Sequence, residues 1–260
     1  NLMMQYIDTH AHIYLEEFRD DISDVVQRCQ EAGLCEVWLP GTDASCLKQL
    51  EALSDNYPGY FRLFAGLHPE DVRPDFRWQI DVISQAIQSG RYTGIGEIGL
   101  DLYWDKTYLK EQLEALILQL DLAVAHHLPV NLHIRDAYEA IMPIVRTYYD
   151  KGLKGIFHSF SGTLEQAREL TETGGFLLGI NGSITFKKSE VAGFLSTIPL
   201  RHLVTETDSP YMTPVPFRGK RNEPKYIPLI VKFLSGLYNV PEADVAAQCL
   251  ENARRLISEQ

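Results

Sequence analysis

A chain of 260 residues with 45% hydrophobic content can bury one large core, and α/β barrels commonly run to this length as one domain, here 1–260. A formal charge of −11 argues against a protein that grips nucleic acid through a broad basic face, though not against a site where bound cations supply local positive charge. No run approaches the roughly 18 apolar residues of a membrane span, and Cys29, Cys35, Cys46 and Cys249 lack metal or redox spacing. The start, Asn1-Leu2-Met3-Met4-Gln5, has no signal-peptide pattern, and Asn1-Leu2 reads as a cloning remnant. Reduced cysteines and a cytoplasmic location are the expectation.

Tyr6-Ile7 predicts a short strand leading into Asp8-Thr9-His10-Ala11-His12. An amphipathic helix over 17–33 follows, with Val25, Val26 and Cys29 on one face and Gly33 as its stop. A second strand over 35–39 precedes a helix over 44–56 capped by Thr42-Asp43, and a third over 61–65 ends at Gly66-Leu67-His68-Pro69. After a helix over 78–88, a fourth strand over 93–95 gives way to a glycine-rich loop that presents Glu97. A long helix spans 108–126, the fifth strand 129–133, and a helix bent by Pro143 spans 138–150. The sixth strand covers 155–158, a helix 164–173, the seventh strand 175–180, a short helix 190–196 and the eighth strand 202–205. Helices over 227–237 and 242–257 close the chain.

Eight strands alternating with helices over short connections give an α/β fold, a (β/α)8 TIM barrel. A doubly wound open sheet is the rival, but it binds ligands at one switch point in the strand order. Here the candidate ligands follow strands one, four, five, six and eight, and a closed barrel brings those ends around one mouth.

His10 and His12 are two apart on an extended segment and so face the same way, with Asp8 one step deeper. A lone strand-end histidine is usually a hydrogen-bonded structural residue. Two at this spacing, joined by His133 and His158 at the ends of separate strands, favour metal ligation. Asp208, after the eighth strand, is placed beside the first by closure. Its rival role is to cap the next helix. The reading is a two-ion site in which His10, His12, Glu97 and Asp208 hold one divalent cation, and Glu97, His133 and His158 the other. Glu97 is shared, Asp208 serves as general base, and Glu206 orients a histidine. Zn, Mn, Fe, Co or Mg all suit this donor set. His68 is assigned to substrate or to a supporting contact. Arg135 and Arg218 are assigned to phosphate oxygens, which guanidinium groups bind bidentately. The basic run Arg218-Gly219-Lys220-Arg221 with Lys225 reads equally as a solvated loop. Tyr103, Trp104 and Tyr108 read as a stacking platform at the rim or as a plug under a loop, the rim being favoured. His126, His127 and His202 read as structural.

Ile7-Asp8-Thr9-His10-Ala11-His12, Gly66-Leu67-His68-Pro69, Gly96-Glu97-Ile98-Gly99-Leu100-Asp101, Phe157-His158-Ser159-Phe160-Ser161-Gly162 and Glu206-Thr207-Asp208-Ser209-Pro210 together resemble the ordered motifs of the TatD family of metal-dependent deoxyribonucleases. The closing Asn252-Ala253-Arg254-Arg255-Leu256 is similar to the family's last helix. The resemblance implies a metallohydrolase barrel, two metal ions on the six residues named above, and 3′–5′ exonuclease or endonuclease activity on DNA. The chain departs from the usual pattern at Ala11, where family members commonly have Cys, at Ile13-Tyr14, where Leu-Asp is common, and at Ile134, where a smaller residue is more usual. None of these changes removes a ligand.

The expected function is therefore divalent-metal-dependent phosphodiester hydrolysis, a TatD-type DNase in which hydroxide activated by two ions attacks phosphorus. The expected partner is a nucleic-acid substrate, a DNA end, with no membrane and no obligate protein partner. The same site on another ester or amide, as in a D-aminoacyl-tRNA deacylase, lactonase or amidohydrolase, is the alternative. A nucleic-acid-binding module without turnover is the third reading, disfavoured by the full ligand set and the acidic balance.

Overall fold

Apolar runs separated by amphipathic ones produce eight parallel strands that pair in chain order. They are β1 (Tyr6–Asp8), β2 (Leu34–Pro40), β3 (Phe61–Ala65), β4 (Gly94–Asp101), β5 (Val130–Arg135), β6 (Gly155–His158), β7 (Leu177–Ile180) and β8 (Leu203–Thr205). The helices are α1 (Ile22–Glu31), α2 (Leu47–Asn56), α3 (Arg77–Gln88), α4 (Leu109–His126), α5 (Tyr138–Arg146), α6 (Leu164–Arg168), α7 (Ile227–Tyr238) and α8 (Glu242–Ser258). The structure, a computed structural model, describes residues 3–258, so the Asn1-Leu2 pair lies outside the described residues. No helix among the described residues is long and apolar enough to cross a membrane.

Side-chain alternation along the strands sorts the core into two bodies. Val37, Leu39, Phe157, Leu178 and Leu203 join the larger cluster with helix residues such as Val25, Leu50 and Leu116. The alternate positions Ile7, Trp38, Phe64, Ile156, Leu177 and Val204 fill the barrel and meet Leu250, Ala253 and Leu256 of α8. The ring closes between its first and last strands. Thr9 N–H donates to the Thr205 carbonyl at 3.0 Å and Asp208 N–H to that of His10 at 2.8 Å. The fully buried Asp8 accepts at one carboxylate oxygen from the backbone N–H of His10 at 3.1 Å and of Thr207 at 2.9 Å. The two segments that carry His10, His12 and Asp208 are thereby fastened to each other.

Two strands run two or more residues further at their C-terminal ends than the sequence reading placed them. β4 continues to Asp101 where a glycine-rich loop was expected, because it stays paired with β5 through Gly99↔His133 and Asp101↔Arg135. Glu97 is the unpaired residue of a bulge within β4, between Gly96↔Asn131 and Ile98↔Leu132. A bulge re-aims its side chain and bends the strand. His133 accordingly lies inside β5 and not at its end. Among the helices, α1 begins only at Ile22 after a short 3-10 turn, Glu16–Phe18, and α5 ends at Arg146. The α6 helix continues into a wide turn, Glu169–Thr173.

The glycines of β4 serve close approach. A Cβ on Gly99 would sit 1.8 Å from the His133 carbonyl oxygen, at a φ of +152°. Gly99→Ala is therefore expected to lower unfolding free energy by about 3 kcal/mol or more, measured by denaturant titration, since neither strand can yield without moving the other.

Candidate metal centre

Five strands deliver one side chain or a pair each to the barrel's C-terminal mouth. The bulge turns Glu97 inward, where it is 2% exposed, and its backbone N–H is held by the Gly41 carbonyl at 2.8 Å. Its Oε1 lies 3.1 Å from His10 Nε2 and 3.2 Å from His12 Nε2. Those two nitrogens are 3.0 Å apart, and each is 3.4 Å from Asp208 Oδ1. On the other side, Glu97 Oε2 lies 2.9 Å from His133 Nδ1 and 3.6 Å from His158 Nε2. His158 Nε2 is also 3.8 Å from Asp208 Oδ2. All six residues picked out from the sequence thus meet around one carboxylate.

Hydrogen bonds on the far sides of the rings fix which nitrogen faces the centre. His10 Nδ1 donates to Asn131 Oδ1 at 2.8 Å. The Tyr14 hydroxyl spends its proton on the Pro40 carbonyl, so its oxygen accepts from His12 Nδ1 at 2.9 Å. His158 Nδ1 donates to Glu206 Oε1 at 2.9 Å, and His133 Nε2 to Asp101 Oδ2 at 2.8 Å. Each of these four rings can therefore offer a lone pair inward once its inner nitrogen gives up its proton, beside carboxylate oxygens that also lack protons. A tetrahedral cation with bonds of about 2.0–2.1 Å spaces its ligand atoms about 3.3–3.4 Å apart. The observed separations of 3.0–3.4 Å around His10, His12, Glu97 and Asp208 match that spacing, so the donor set fits a divalent ion.

Electrostatics agree. Burial works against the charge on Glu97, yet the surrounding imidazoles His68, His10 and His158 outweigh it and hold the carboxyl well below its ordinary range. Asp208 is likewise held low: burial opposes, and His158, His10 and His12 prevail. The same carboxylates, against burial, raise His10 well above the ordinary imidazole value. His133 rises to about 9, burial being outweighed by Asp101 and Glu97. The centre demands positive charge, which protons on the rings or cations in their place can supply.

His68 is different in kind. Proximity would group it with Glu97 and His133, its Nε2 being 3.3 Å from Glu97 Oε2. Its Nδ1, however, accepts the Glu70 N–H at 3.0 Å, so Nε2 carries the proton and points inward as a donor. The supporting residues Tyr14, Asp101 and Asn131 escaped the sequence reading. Asn131 had a usable signal, since it stands two before His133 on one strand and so shares its face.

A closed parallel barrel with this convergent imidazole and carboxylate centre defines a metal-dependent hydrolase of the TIM-barrel type. Comparison narrows the class. The family model for TatD related DNase matches residues 7–258. A Bacillus subtilis (strain 168) relative, the uncharacterized metal-dependent hydrolase YabD, is 32% identical, covering 96% of this chain and 97% of its own. An Erwinia billingiae relative named 3′-5′ ssDNA/RNA exonuclease TatD is 30% identical over 96% of this chain and 97% of its own. The crystal structure of YjjV, a TatD homologue from Escherichia coli K12, superposes with a TM-score of 0.92 at 29% identity, covering 98% of each chain. The chain belongs to the TatD family of metal-dependent hydrolases.

The remaining predicted residues divide. His12, His68, Glu97, His133, His158 and Asp208 line an open cleft of about 1390 Å³, and Arg135 and Arg218 stand on its walls. The basic run splits. Arg218 lies over the Phe186 ring at 3.9 Å, whereas Arg221 is engaged by Asp21 at 2.6 Å and Glu223 at 3.4 Å, with Arg28 joining Glu223 at 2.9 Å. Tyr108 turns away to Arg73, outside the cleft, and leaves Tyr103 and Trp104 at the rim.

The Arg221 cluster ties α1 to the segment after Asp208. Its hydrogen bond from Arg221 holds the Asp21 carboxyl below the usual range. A lowered folded value gives stability that is present above the unfolded pKa, about 3.9, and lost as pH falls through the folded one. Asp21→Asn should cost no more than about 1 kcal/mol at neutral pH, because the pair is a third exposed and screened. Thermal denaturation against pH should show the gap between the proteins closing below about pH 4.

Proposed function

We propose that His10, His12, Glu97 and Asp208 hold one divalent cation and Glu97, His133 and His158 a second, and that this centre hydrolyses phosphodiester bonds at the 3′ end of single-stranded nucleic acid. The observation that carries the two-ion reading is the division of Glu97: Oε1 faces the nitrogens of His10 and His12, Oε2 those of His133 and His158. The phosphodiester reading draws on the relatives named as exonucleases and on two arginines, Arg135 and Arg218, that stand in the cleft without a carboxylate partner among the described residues.

A pair of divalent cations, when bound, supplies Lewis-acid activation of water and neutralises charge on the phosphoryl oxygens. The chain's own groups do the rest. Asp208, 12% exposed at its side chain against 3% for Glu97, is the more open carboxylate and takes the proton of the attacking water. The inward N–H of His68 donates to a phosphoryl oxygen. Arg135 and Arg218 orient the diester with their planar forks. Asn131, Tyr14, Asp101 and Glu206 keep four imidazoles in the tautomer the centre needs.

Elemental analysis of metal-loaded protein should find close to two ions per chain, and Glu97→Gln should lose both. Asp208→Asn, which keeps shape and tolerates the residue's φ of +58°, should lower kcat for release of mononucleotides from single-stranded DNA or RNA by about 10³-fold. Glu206→Gln should weaken metal affinity by about 10–100-fold. One ion per chain would remove the bridging role of Glu97. Turnover of lactones, amides or carboxylic esters in place of diesters would leave the centre and replace the substrate.

A further inference from the structure

We propose that Tyr103 and Trp104, with Arg135, form a stacking platform for an unpaired base of the nucleotide beside the bond that is cut, and that this platform selects single-stranded ends. The inference rests on the phosphodiester reading above and adds how the substrate is recognised.

Immediately after β4 the chain presents two adjacent aromatic residues to solvent, Tyr103 at 49% and Trp104 at 72% exposure. A hydrophobic plug under a loop would be covered. These rings instead line the open cleft, edge to face, with centroids 4.6 Å apart. The Arg135 guanidinium lies 3.8 Å from the Tyr103 ring centre and 5.6 Å from that of Trp104. Arg28, Arg62, Arg91, Arg146 and Arg221 each bind a carboxylate, whereas the Arg135 side chain makes only these ring contacts among the described residues. Its outward face is free for a second planar group or a phosphate.

The platform is built into the centre. Tyr103 N–H donates to Asp101 Oδ1 at 3.1 Å, and Asp101 Oδ2 accepts from His133 Nε2 at 2.8 Å. Leu102 N–H donates to the Arg135 carbonyl at 3.0 Å, and Arg135 is two residues beyond His133 on β5. One carboxylate thus orients a centre imidazole and anchors the aromatic turn. A base laid on these rings is held in fixed register with the centre.

Chemistry narrows the occupant. The rim carries Lys187, Lys188 and Arg218 but also Glu70, Asp71, Asp136 and Glu190, so it is not a uniformly cationic groove. Binding through such a rim should draw on stacking more than on counterion release, with a salt dependence less steep than that of a uniformly basic groove. A base within a duplex has both faces stacked already. Only an unpaired one offers the platform a free face.

The test follows emission from Trp104. The chain has three tryptophans, of which Trp38 is buried, and Trp78→Phe leaves Trp104 as the exposed one. A short phosphorothioate oligothymidylate, titrated into this metal-loaded variant, should quench emission strongly. The same oligomer with tetrahydrofuran spacers replacing its last two bases should not. In hydrolysis of the phosphodiester versions, the ratio of kcat/KM for intact over spacer ends should fall about tenfold in Trp104→Ala and in Tyr103→Leu. It should be unchanged in Trp78→Phe, which lies outside the cleft. Equal quenching by both oligomers, or a ratio indifferent to Trp104→Ala, overturns the platform while leaving the phosphodiester reading in place. If the unmodified protein cleaves neither oligomer, the reading of the substrate falls, whatever Trp104 reports.

Discussion

A carboxylate that is 2% exposed, at the top of a parallel barrel, must meet compensating positive charge, and the arrangement around Glu97 follows from that constraint. The β4 bulge aims the side chain at the axis. Gly66 and Gly96 let neighbouring backbones approach to where a Cβ would be 2.8 Å from Gly96 and 2.6 Å from Asn131. Around the carboxylate the barrel gathers imidazoles from β5, β6 and the segment after β1. The result is a pocket of lone pairs, stable only when protons or cations occupy it. Closure of β8 onto β1 completes it by bringing Asp208 beside His10, so the topology of the ring and the chemistry of the site are one requirement.

The outer hydrogen bonds decide what each histidine can do. Four rings give their outward nitrogen a proton acceptor and so turn a bare nitrogen inward. His68 is offered a donor, the Glu70 amide, and turns a proton inward. Equal proximity to Glu97 therefore conceals opposite roles. The distinction lies in atoms a full bond network away from the carboxylate, in residues such as Tyr14 and Asn131 that carry no charge. It also bears on the departures from the family pattern: Tyr14 occupies one of the altered positions, and it is the residue that fixes the His12 tautomer.

Much of this was legible in the sequence because period and spacing are local. Strand alternation located Phe61–Ala65 and Gly155–His158 to the residue, and the His10–His12 spacing alone put two imidazoles on one face. What local rules misread was β4. Gly94, Gly96 and Gly99 look like loop punctuation, yet they are there because the Phe64 ring of β3 and the chain around Pro129, Asn131 and His133 leave no room for a Cβ, a property of neighbours about 30–35 positions away in the sequence. The same limit hid Asp101, which ends that strand and whose partner His133 lies across a strand pair, and it left the run Arg218 to Arg221 undivided until the positions of Asp21 and Phe186 separated its members.

The charge of −11 then poses a question of how such a chain would take a polyanion. Its long-range field repels one, so the steering available to a basic protein is absent. Whatever attraction exists has to be short-ranged: any cations held at the floor of the cleft, guanidinium groups on its walls that lack a carboxylate partner among the described residues, and π-faces at its rim, each effective within a Debye length of about 10 Å at 0.1 M salt. A surface of that kind gives little hold to the middle of a strand lying across it. It rewards a terminus that can enter the cleft and bring a phosphate to the floor while a base rests on the rim. On the proposed substrate, acidic composition, commonly a mark against nucleic-acid enzymes, would in this geometry be a reason for preferring ends.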